Sequence, residues 1–492
     1  MDDLLEPIHR IEELRAIEAR ANDAPLMERA GRAATAIALQ MAGDRGGSIV
    51  VLAGPGNNGG DGFVVARVLR EAFHDVAVVF RGHAAKLPKD ALAAHRAYTD
   101  AGGTVVTDPP AGQPALIIDA LYGIGFARPL TKPWAQLVEW ANASGAPILA
   151  LDIPTGLHAD TGIATAPAIR ASATATFIAW KAGLLTATGP DLCGNVTLET
   201  LGLVQDPATP PAGRRLAWDG VARALPDVLR RRARNVHKGT FGTLAIIGGA
   251  DGMTGASILA GRAALRLGAG KVCVYLAAHE RPTLDPGAPE LMLRAADDVT
   301  DDATAIVIGP GLGTDDAARA HVERAVSVNV PLVLDADALN LVAANKSLRS
   351  ALRGRTAPTL LTPHPAEAAR LLGTDTSGVQ RDRLHAALLL ARELRAHVVV
   401  KGAGSVLAHP DDTWDINASG NAGLACAGSG DVLAGMLGAF VAQRIDAKTA
   451  LRVAVCLHGA AADALVAAGR GPLGLPPSEL PDAARDLVNR AR

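Results

Sequence analysis

The sequence predicts an α/β protein made of two layered domains with mostly parallel sheets. Its 492 residues exceed the usual size of a single hydrophobic core. Hydrophobic residues make up 49% of the chain and aromatic residues only 3%, so the cores must be built from Ala, Val, Leu and Ile. Short β-branched runs alternate with helical runs in both halves, which is typical of a parallel sheet covered by helices on both faces.

The N-terminal half begins with helical sequence and then alternates. Ile11, Leu14 and Ile17 fall on one helix face. Further helices are predicted over 25–41 and 63–73, and strands over 48–53, 76–80, 115–118 and 148–151.

The C-terminal half repeats this style after a Pro-rich segment over 202–214, which is the best candidate for a linker. The predicted strands are 243–247, 272–276, 305–308, 332–334 and 398–400, and the predicted helices are 255–267, 430–440 and 447–466.

Charge and cysteine content exclude several functional classes. The formal net charge of −2 provides no basic field for nucleic acid or an anionic membrane. The basic run 230–234 is either a solvated helix end or a phosphate contact. The 4 cysteines form no C-x-x-C pair, which favours reduced thiols in a cytoplasmic protein over a zinc site. We find no signal peptide and no apolar run of about 18 residues, and so predict no membrane span.

The first glycine-rich loop covers 54–62, with the sequence GPGNNGGDG. It matches G-x-G-x-x-G between a strand and a helix, which by itself is a weak signal. The acidic residue that a dinucleotide site requires after its second strand is missing, since that strand ends at Phe80-Arg81, and no G-K-[ST] follows. The loop is therefore neither an ordinary dinucleotide fingerprint nor a P-loop, and a tight turn without a ligand is the alternative.

Two aspartates follow neighbouring predicted strands. Asp119 and Asp152 come at strand ends, and Thr155 lies close behind Asp152. Carboxylate, amide and hydroxyl oxygens suit an alkali or hard divalent cation. Helix N-capping is the alternative for each aspartate alone.

The second glycine-rich loop leads through Gly428-Ser429-Gly430-Asp431 into a long helix. Its N–H groups are suited to an anion hole for a phosphoryl group, and Asp431 is placed to act as a general base. A plain helix start is the alternative. More polar segments follow strands in this half, and His364, between two prolines, fits a ligand contact better than a structural role. These segments are 309–313, 335–340, 362–367 and 401–405.

These motifs resemble one family. The N-terminal part resembles the epimerase domain of the bifunctional NAD(P)H-hydrate repair enzymes, and the C-terminal part resembles their dehydratase domain, a branch of the ribokinase-like superfamily. The matching N-terminal segments are 27–31, 54–62, 119–129, 152–156 and 177–184. The matching C-terminal segments begin with 235–242, 248–249, 255–256 and 289–292 and end with 431–435.

The resemblance implies a Rossmann-like epimerase domain over 1–208, a linker over 209–225 and a ribokinase-like dehydratase domain over 226–492. It also implies the epimerase residues that contact the hydrated nucleotide. These are Asn57, Asn58, Gly59, Gly60, Asp61, Gly123, Ile124, Gly125, Phe126, Ala127, Arg128, Pro129 and Asp152. Asn58, Asp119 and Thr155 are implied ligands of K⁺. We expect Asp152 to be catalytic, although the residues alone leave Asp152 and Asp119 open as the base.

In the dehydratase domain the resemblance implies contacts to the hydrated nucleotide and to an adenine nucleotide, with Asp431 as the catalytic residue. The hydrated nucleotide is expected at Ala256, Gly313, His364 and Asp431. The adenine nucleotide is expected at Lys401, Gly402, Ala403, Gly404, Ser405 and Gly430.

The implied activity is repair of hydrated NADH and NADPH. The first domain interconverts the R and S hydrates, and the second dehydrates the S form with ADP, releasing AMP and phosphate; ATP is the donor that eukaryotic members prefer. Mg²⁺ is expected because phosphoryl transfer generally depends on a divalent cation. We expect a cytoplasmic homo-oligomer. The alternatives are a vitamin-precursor or sugar kinase in the C-terminal half and a non-catalytic dimerisation or scaffold module in the N-terminal half.

Overall fold

The computed structural model describes residues 1–21, 24–43, 46–126, 128–203, 208–298 and 302–491. The chain forms two compact units: an N-terminal unit, Pro7–Ala212, and a C-terminal unit, Met1–Glu6 with Gly213–Arg492. The first six residues of the chain thus cluster with the C-terminal unit. The first strand, β1 (Glu6–Ile8), spans this division.

The N-terminal unit contains a seven-stranded, fully parallel sheet with the order β4-β3-β2-β5-β6-β7-β8. The strands are β2 (Ile49–Ala53), β3 (Val76–Phe80), β4 (Thr104–Val106), β5 (Leu116–Ala120), β6 (Ile148–Leu151), β7 (Ala173–Phe177) and β8 (Asn195–Glu199). The helices are α1 (Ile11–Arg20), α2 (Leu26–Ala42), α3 (Asn57–Glu71), α4 (Lys89–Asp100), α5 (Lys132–Ala143), α6 (Ala182–Leu185) and α7 (Gly189–Leu192). From β2 the chain first adds β3 and β4 on one side and then adds β5 to β8 on the other side. Ligands of such sheets bind between the two central strands, here β2 and β5, at the carboxyl ends of the strands.

Both faces of this sheet are covered. Ile49 and Val51 belong to one buried apolar cluster, and Val50 and Leu52 belong to another. Successive side chains of a strand point to opposite faces, so a strand covered on both sides is apolar throughout.

The larger sheet has the order β1-β9-β18-β17-β16-β15-β14-β13-β10-β11-β12, and its strands from β9 to β18 belong to the C-terminal unit. Its strands are β9 (Gly213–Leu216), β10 (Thr243–Gly248), β11 (Lys271–Leu276), β12 (Met292–Ala295), β13 (Ala305–Ile308), β14 (Leu332–Leu334), β15 (Thr359–Leu361), β16 (His397–Val400), β17 (Val406–Ala408) and β18 (Trp414–Asn417). The pairs from β12 to β16 are parallel, and β17 pairs antiparallel with both neighbours.

Helices surround this sheet. They are α8 (Trp218–Arg223), α9 (Asp227–Arg230), α10 (Thr254–Arg266), α11 (Asp316–Ser327), α12 (Ala336–Ala344), α13 (Lys346–Arg353), α14 (Pro365–Leu372), α15 (Thr376–Arg381), α16 (Arg383–Leu394), α17 (Ser429–Ala442), α18 (Ala447–Ala467) and α19 (Leu480–Arg490). The predicted α/β class with mostly parallel sheets is therefore confirmed.

Helix α18 is long and apolar enough to cross a membrane by length and composition. However, 78% of its apolar window is buried inside the protein, and it packs against α17 and α19. Its composition is explained by its place in the core, where it contributes Leu451, Val453 and Leu457.

Two differences between the structure and the sequence-based boundaries matter for the sites. Part of the segment predicted as linker, 209–225, is regular structure, because β9 pairs in parallel with β18 and α8 follows it. Helix α3 begins at Asn57, six residues earlier than predicted, so most of the first glycine-rich motif is the first turns of a helix.

Candidate active sites

The first glycine-rich loop packs its helix tightly against the end of β5. A Cβ added to Gly54 would lie 1.7 Å from the carbonyl oxygen of Leu121, and one on Gly59 would lie 2.0 Å from that of Gly54. Gly56 faces open space instead. Most of these glycines are therefore required by close backbone approach.

Asp119, at the end of β5, is completely buried and hydrogen-bonded. Its Oδ1 accepts from the Thr155 hydroxyl (2.8 Å) and from the N–H of Leu121 (3.2 Å), and its Oδ2 accepts from the N–H of Thr155 (2.8 Å). Burial raises the pKa of Asp119 to about 6, although the bonds from Thr155 oppose the rise. A buried carboxyl of this kind is stabilised in its ionised form by a cation.

Asn58 provides a second sign of a ligand-binding role at this site. Its amide nitrogen and oxygen are both buried, and within the described residues neither has a hydrogen-bond partner. A buried amide without partners is costly, so it generally marks a ligand or water. The Cβ position of Gly123 lies 3.4 Å from the Asn58 side chain, and the N–H of neighbouring Tyr122 donates to Thr155. The loop after β5 thus connects Asn58 with Thr155 and Asp119.

Asp152 follows β6 directly and is held by a lysine. Its Oδ1 lies 2.6 Å from Nζ of Lys181, and its Oδ2 accepts from the N–H of Ile124 at 3.0 Å. Asp152 adopts a φ of +67°, a backbone strain that tends to occur at functional sites. Lys181 is only 1% exposed, and its ammonium also donates to the Thr176 hydroxyl and the Phe177 carbonyl.

These groups border a cavity of about 1280 Å³. Seven predicted substrate residues line it: Asn57, Asn58, Asp61, Gly123, Ile124, Gly125 and Asp152. Burial raises the pKa of Asp61 well above its usual range, and the charges of Asp152 and Glu18 raise it further. The cavity wall therefore combines an ion-paired carboxylate, Asp152, with a carboxyl that favours its proton, Asp61.

The other predicted residues of this site that the structure describes do not line the cavity. Gly59 and Gly60 are buried in the packed start of α3, and Phe126 is buried against Tyr122. Arg128 and Pro129 are exposed. Ala127 lies outside the described residues.

In the C-terminal unit, the predicted site segments meet at the carboxyl edge of the sheet. Asp335 follows β14, Thr362 follows β15 and Lys401 follows β16. Oδ1 of Asp335 accepts from the Thr362 hydroxyl at 2.7 Å and from the Lys401 ammonium at 3.0 Å. Burial lowers the pKa of Lys401, but the charges of Asp335, Glu367 and Asp431 and the hydrogen bond to Asp335 together outweigh burial, and the net shift is upward.

The N-terminus of α17 abuts this ion pair. Gly428 precedes the helix with a φ of +95°, which favours glycine. The Cβ position of Gly430 lies 3.3 Å from Nζ of Lys401 and 3.7 Å from Oδ2 of Asp335. Asp431 lies in the first turn, where burial and the charge of Asp335 raise its pKa to about 6.

His364 serves as the N-cap of α14. Its Nδ1 accepts from the N–H of Ala366 at 3.1 Å, and its Nε2 lies 3.2 Å from Oε1 of Glu367. Burial raises the pKa of Glu367 to about 7. The imidazole is half-exposed, so His364 has a structural role that leaves one side of the ring open.

The remaining predicted residues occupy loops at the same edge. Gly313 has a φ of +82° and donates its N–H to Asp337 at 2.9 Å, and Ala256 lies in the first turn of α10 beside Gly311. In the 401–405 loop, the Ser405 hydroxyl accepts from the N–H of Gly402 and donates to its carbonyl. Ala403 accepts from Arg383 at 2.8 Å, and Gly404 has a φ of +59°.

Sequence reasoning assigned no role to three residues of these sites. Lys181 and Asp335 lie in the segments 177–184 and 335–340 but had no individual role there, and Glu18 lies in the first predicted helix, outside any motif. The position of Asp335 directly after a buried strand could have marked it as a site residue. The contact between Lys181 and Asp152, in contrast, can be seen only in the folded structure. Within the basic run 230–234, Arg232 stacks on Phe241 and donates to Gln443.

Comparisons with known proteins find a matching family for each of the two units. Residues 23–183 match the family model for the YjeF-related protein N-terminus, and residues 244–484 match the model for NAD(P)H-hydrate dehydratase. The chain is 38% identical to the bifunctional NAD(P)H-hydrate repair enzyme Nnr of Coxiella burnetii, over 98% of each chain. The chain belongs to this family.

Two further relatives support the assignment. The Escherichia coli Nnr enzyme is 39% identical over 94% of this chain and 89% of its own. A crystal structure of the ADP/ATP-dependent NAD(P)H-hydrate dehydratase from Bacillus subtilis, co-crystallised with ATP and Mg²⁺, matches with a TM-score of 0.50 and 32% identity. It covers 56% of this chain and 98% of its own. The resemblance to the repair family and the ribokinase-like class of the C-terminal unit are thus confirmed, and the kinase and scaffold alternatives are disfavoured.

Proposed function

We propose that this chain repairs hydrated nicotinamide cofactors in two steps. The N-terminal unit interconverts R- and S-NAD(P)HX, and the C-terminal unit uses ADP, or ATP, to dehydrate S-NAD(P)HX to NAD(P)H. With ADP the other products are AMP and phosphate. The observation that carries the proposal is the placement of Asp431 in the first turn of α17, with the Lys401 ammonium beside Gly430. This arrangement suits phosphoryl transfer, and it occurs in a chain that belongs to the repair family.

In the C-terminal site, Asp431 acts as the general base. The substrate hydroxyl, on the ring carbon next to the ring nitrogen, attacks the terminal phosphorus of the nucleotide while Asp431 accepts its proton. The bond from that phosphorus to the leaving nucleotide breaks. Phosphate then leaves the ring carbon, driven by the nitrogen lone pair, and loss of a proton from the adjacent carbon restores the double bond. The N–H groups of α17 and the Lys401 ammonium suit the charge on the transferring group.

This assignment extends to the nucleotide and substrate contacts. We propose that Lys401, Gly402, Ala403, Gly404, Ser405 and Gly430 bind the adenine nucleotide and that Ala256, Gly313 and His364 contact the hydrated ring or its nucleotide. The bond from Arg383 to Ala403 supports a preorganised 401–405 loop.

In the N-terminal site, we assign Asp152 as the base. Epimerisation requires either reversible opening of the ring at the hydroxyl-bearing carbon or loss and return of water, and both require a proton acceptor. Asp152 borders the cavity, whereas Asp119 is 0% exposed and does not line it. The ion pair with Lys181, at 2.6 Å, fixes the position of the Asp152 carboxylate at the cavity wall.

Asn58, Asp119 and Thr155 would hold the proposed K⁺. The amide of Asn58, which has no hydrogen-bond partner among the described residues, and the buried carboxyl of Asp119 fit a weakly hydrated cation bound by oxygen atoms. When bound, K⁺ would supply positive charge that keeps Asp119 ionised and organises the loop after β5.

The C-terminal site does not form a complete Mg²⁺ cage. Within the described residues, no group of three or more His, Cys, Asp or Glu side chains could hold a metal ion. Mg²⁺ usually binds through a few protein ligands together with substrate phosphates. We therefore propose Mg²⁺ only as a companion of the nucleotide phosphates, and the steps above do not depend on it.

The proposed location is the cytoplasm. All four cysteines are free, and three of them are buried, as expected in a reducing compartment. The homo-oligomeric state stays a prediction, which light scattering of the full chain tests.

A single incubation tests both activities. Purified chain receives mixed R- and S-hydrates of NADH with ADP, Mg²⁺ and K⁺, and recovery of the dihydronicotinamide absorbance is followed while chromatography separates the epimers. Full recovery of both epimers is expected. Absence of ADP-dependent recovery contradicts the dehydratase, and interconversion at the spontaneous rate contradicts the epimerase.

Replacing K⁺ with Na⁺ tests the ion site separately. Interconversion and the melting temperature of the wild type should both fall, and Asn58→Ala should lose this ion dependence. Recovery from pure S-hydrate serves as the internal control and should not change.

A further inference from the structure

Asp335 stands at the N-cap of α12, yet its side chain makes no capping hydrogen bond. Aspartate at this position usually accepts from the first turn of its own helix, as Asp375 does for α15. Asp335 is only 2% exposed. Its buried charge therefore has some role other than helix capping.

The carboxylate instead faces the neighbouring strand ends. Oδ1 accepts from the Thr362 hydroxyl at 2.7 Å and the Lys401 ammonium at 3.0 Å. Oδ2 points toward α17 and lies 3.7 Å from the Cβ position of Gly430. The Lys401 side chain remains 22% exposed, and its ammonium lies 3.3 Å from the Cβ position of Gly430, in the first turn of α17.

We propose that Asp335 is a positioning residue of the C-terminal site, holding the Lys401 ammonium at the N-terminus of α17, where it meets the transferring phosphoryl group. A lysine side chain has four rotatable bonds, and fixing its ammonium before binding lowers the entropic cost of the reactive geometry. A buried ion pair contributes little net stability, so the pair is better explained by positioning. The inference rests on the dehydratase function proposed above.

The negative charge of Asp335 also affects the pKa of Asp431. Asp431 is faced by Asp335, by Asp337 on α12 and by Lys401, while Lys401 is also faced by Glu367 on α14. After burial, the negative charge of Asp335 is the strongest influence that raises the pKa of Asp431. Removing that charge should lower this pKa and move the acid limb of the dehydration rate to lower pH.

Asp335→Asn in the full chain tests the inference. We expect the KM for ADP to rise about tenfold, from loss of the charge-assisted hydrogen bond to Lys401, and the acid limb to move to lower pH. R/S interconversion should not change. Asp375→Asn, which removes an aspartate that does cap its helix, is the matched control and should leave both kinetic measures unchanged.

A double variant distinguishes positioning from an independent role. If Asp335 acts through Lys401, then Asp335→Asn/Lys401→Met should have the same KM for ADP as Lys401→Met alone. Additive effects would overturn the proposal, as would a defect in Asp335→Asn that extra Mg²⁺ restores, which would assign Asp335 to metal binding. A fall in melting temperature with unchanged KM and pH profile would also overturn it.

Two measurements keep the test decisive. If Asp335→Asn does not fold, Asp335→Glu replaces it. This variant retains the charge but displaces the Lys401 ammonium, so we expect a raised KM for ADP and an unchanged acid limb of the dehydration rate. An unchanged KM overturns the proposal.

If the wild type shows no dehydration, the proposed function fails by itself. Calorimetric titration of ADP into wild type and Asp335→Asn then decides: about tenfold weaker binding supports the positioning role, and equal binding overturns it.

Discussion

The glycines at the start of α3 and those at the start of α17 are needed for different reasons. A Cβ on Gly54 would lie 1.7 Å from the carbonyl oxygen of Leu121, just after β5, and one on Gly59 would lie 2.0 Å from that of Gly54. These glycines therefore permit close backbone packing at the start of α3. Gly428 supplies a φ of +95°, and Gly430 leaves space beside Lys401. Similar sequence patterns therefore arise from packing in one unit and from helix entry next to a binding site in the other.

The two lysines differ in a related way. Lys181 is buried and its ammonium donates to the Thr176 hydroxyl, the Phe177 carbonyl and Asp152, so all three of its protons are used. Lys401 pairs with Asp335 and remains partly exposed beside α17. The first lysine is a fixed counterion for a carboxylate, whereas the second has capacity for a ligand.

The largest expected effect separates the two sites. Asp431→Asn should reduce ADP-dependent dehydration by about 10²–10⁴-fold, since a general base typically contributes that much. Stopped assays with pure S-hydrate measure the loss. Interconversion of R- and S-hydrate by the same variant is the control, and a parallel loss there would mean that the two sites are not independent.

Lys181→Met tests the fixed counterion. Removing one partner of a buried ion pair destabilises a protein by about 3–5 kcal/mol, so denaturant unfolding should shift by that amount and interconversion should be lost. Lys181→Met/Asp152→Asn removes both charges and should recover most of the stability but not the activity. If the single variant is as stable as wild type, the pair is not the buried counterion arrangement described above.

Glycine substitutions test the difference between the loops. Gly59→Ala should destabilise the chain by about 1–3 kcal/mol through overpacking, measured by denaturant unfolding. Gly56→Ala is the matched control, because nothing lies within 4 Å of its Cβ position and its φ of −114° suits alanine. Equal stability of the two variants would contradict a packing role for Gly59.

The smallest effect is in pH dependence. Asp431 has a pKa raised to about 6 by burial and Asp335, and the base must be ionised to act. Dehydration should therefore be constant above this pKa and fall about tenfold for each pH unit below it. A rate from pure S-hydrate that is flat down to pH 5 would contradict the assignment of Asp431 as the base.

Much of the architecture was accessible from the sequence, because local signals and the fold agree. The predicted strands 76–80, 305–308 and 332–334 match β3, β13 and β14 in full, since continuous β-branched runs are required where both sheet faces are covered. The start of α3 was missed because a motif of Asn and Gly has poor helix propensity, and tight packing on β5 overrides it.

The site residues divide in the same way, into those that local sequence signals identify and those that only long-range contacts define. Asp119, Asp152, Lys401 and Asp431 could be selected because each follows a strand or opens a helix. Lys181 and Asp335 obtain their importance from contacts with residues 29 and 66 positions away in the chain, at Asp152 and Lys401 respectively. No local pattern carries such contacts.

The sequence by itself determined the α/β class, the two-unit plan and the family, because periodicity and strand-end motifs are local properties of the chain. The tertiary structure decided which carboxyl borders the cavity, which lysine ammonium donates all of its protons to hydrogen bonds, and which glycines are required because other atoms approach them closely. It also assigned the first six residues to the C-terminal unit. These features depend on burial and on long-range contacts, which exist only once the parallel strands bring their carboxyl ends to one edge.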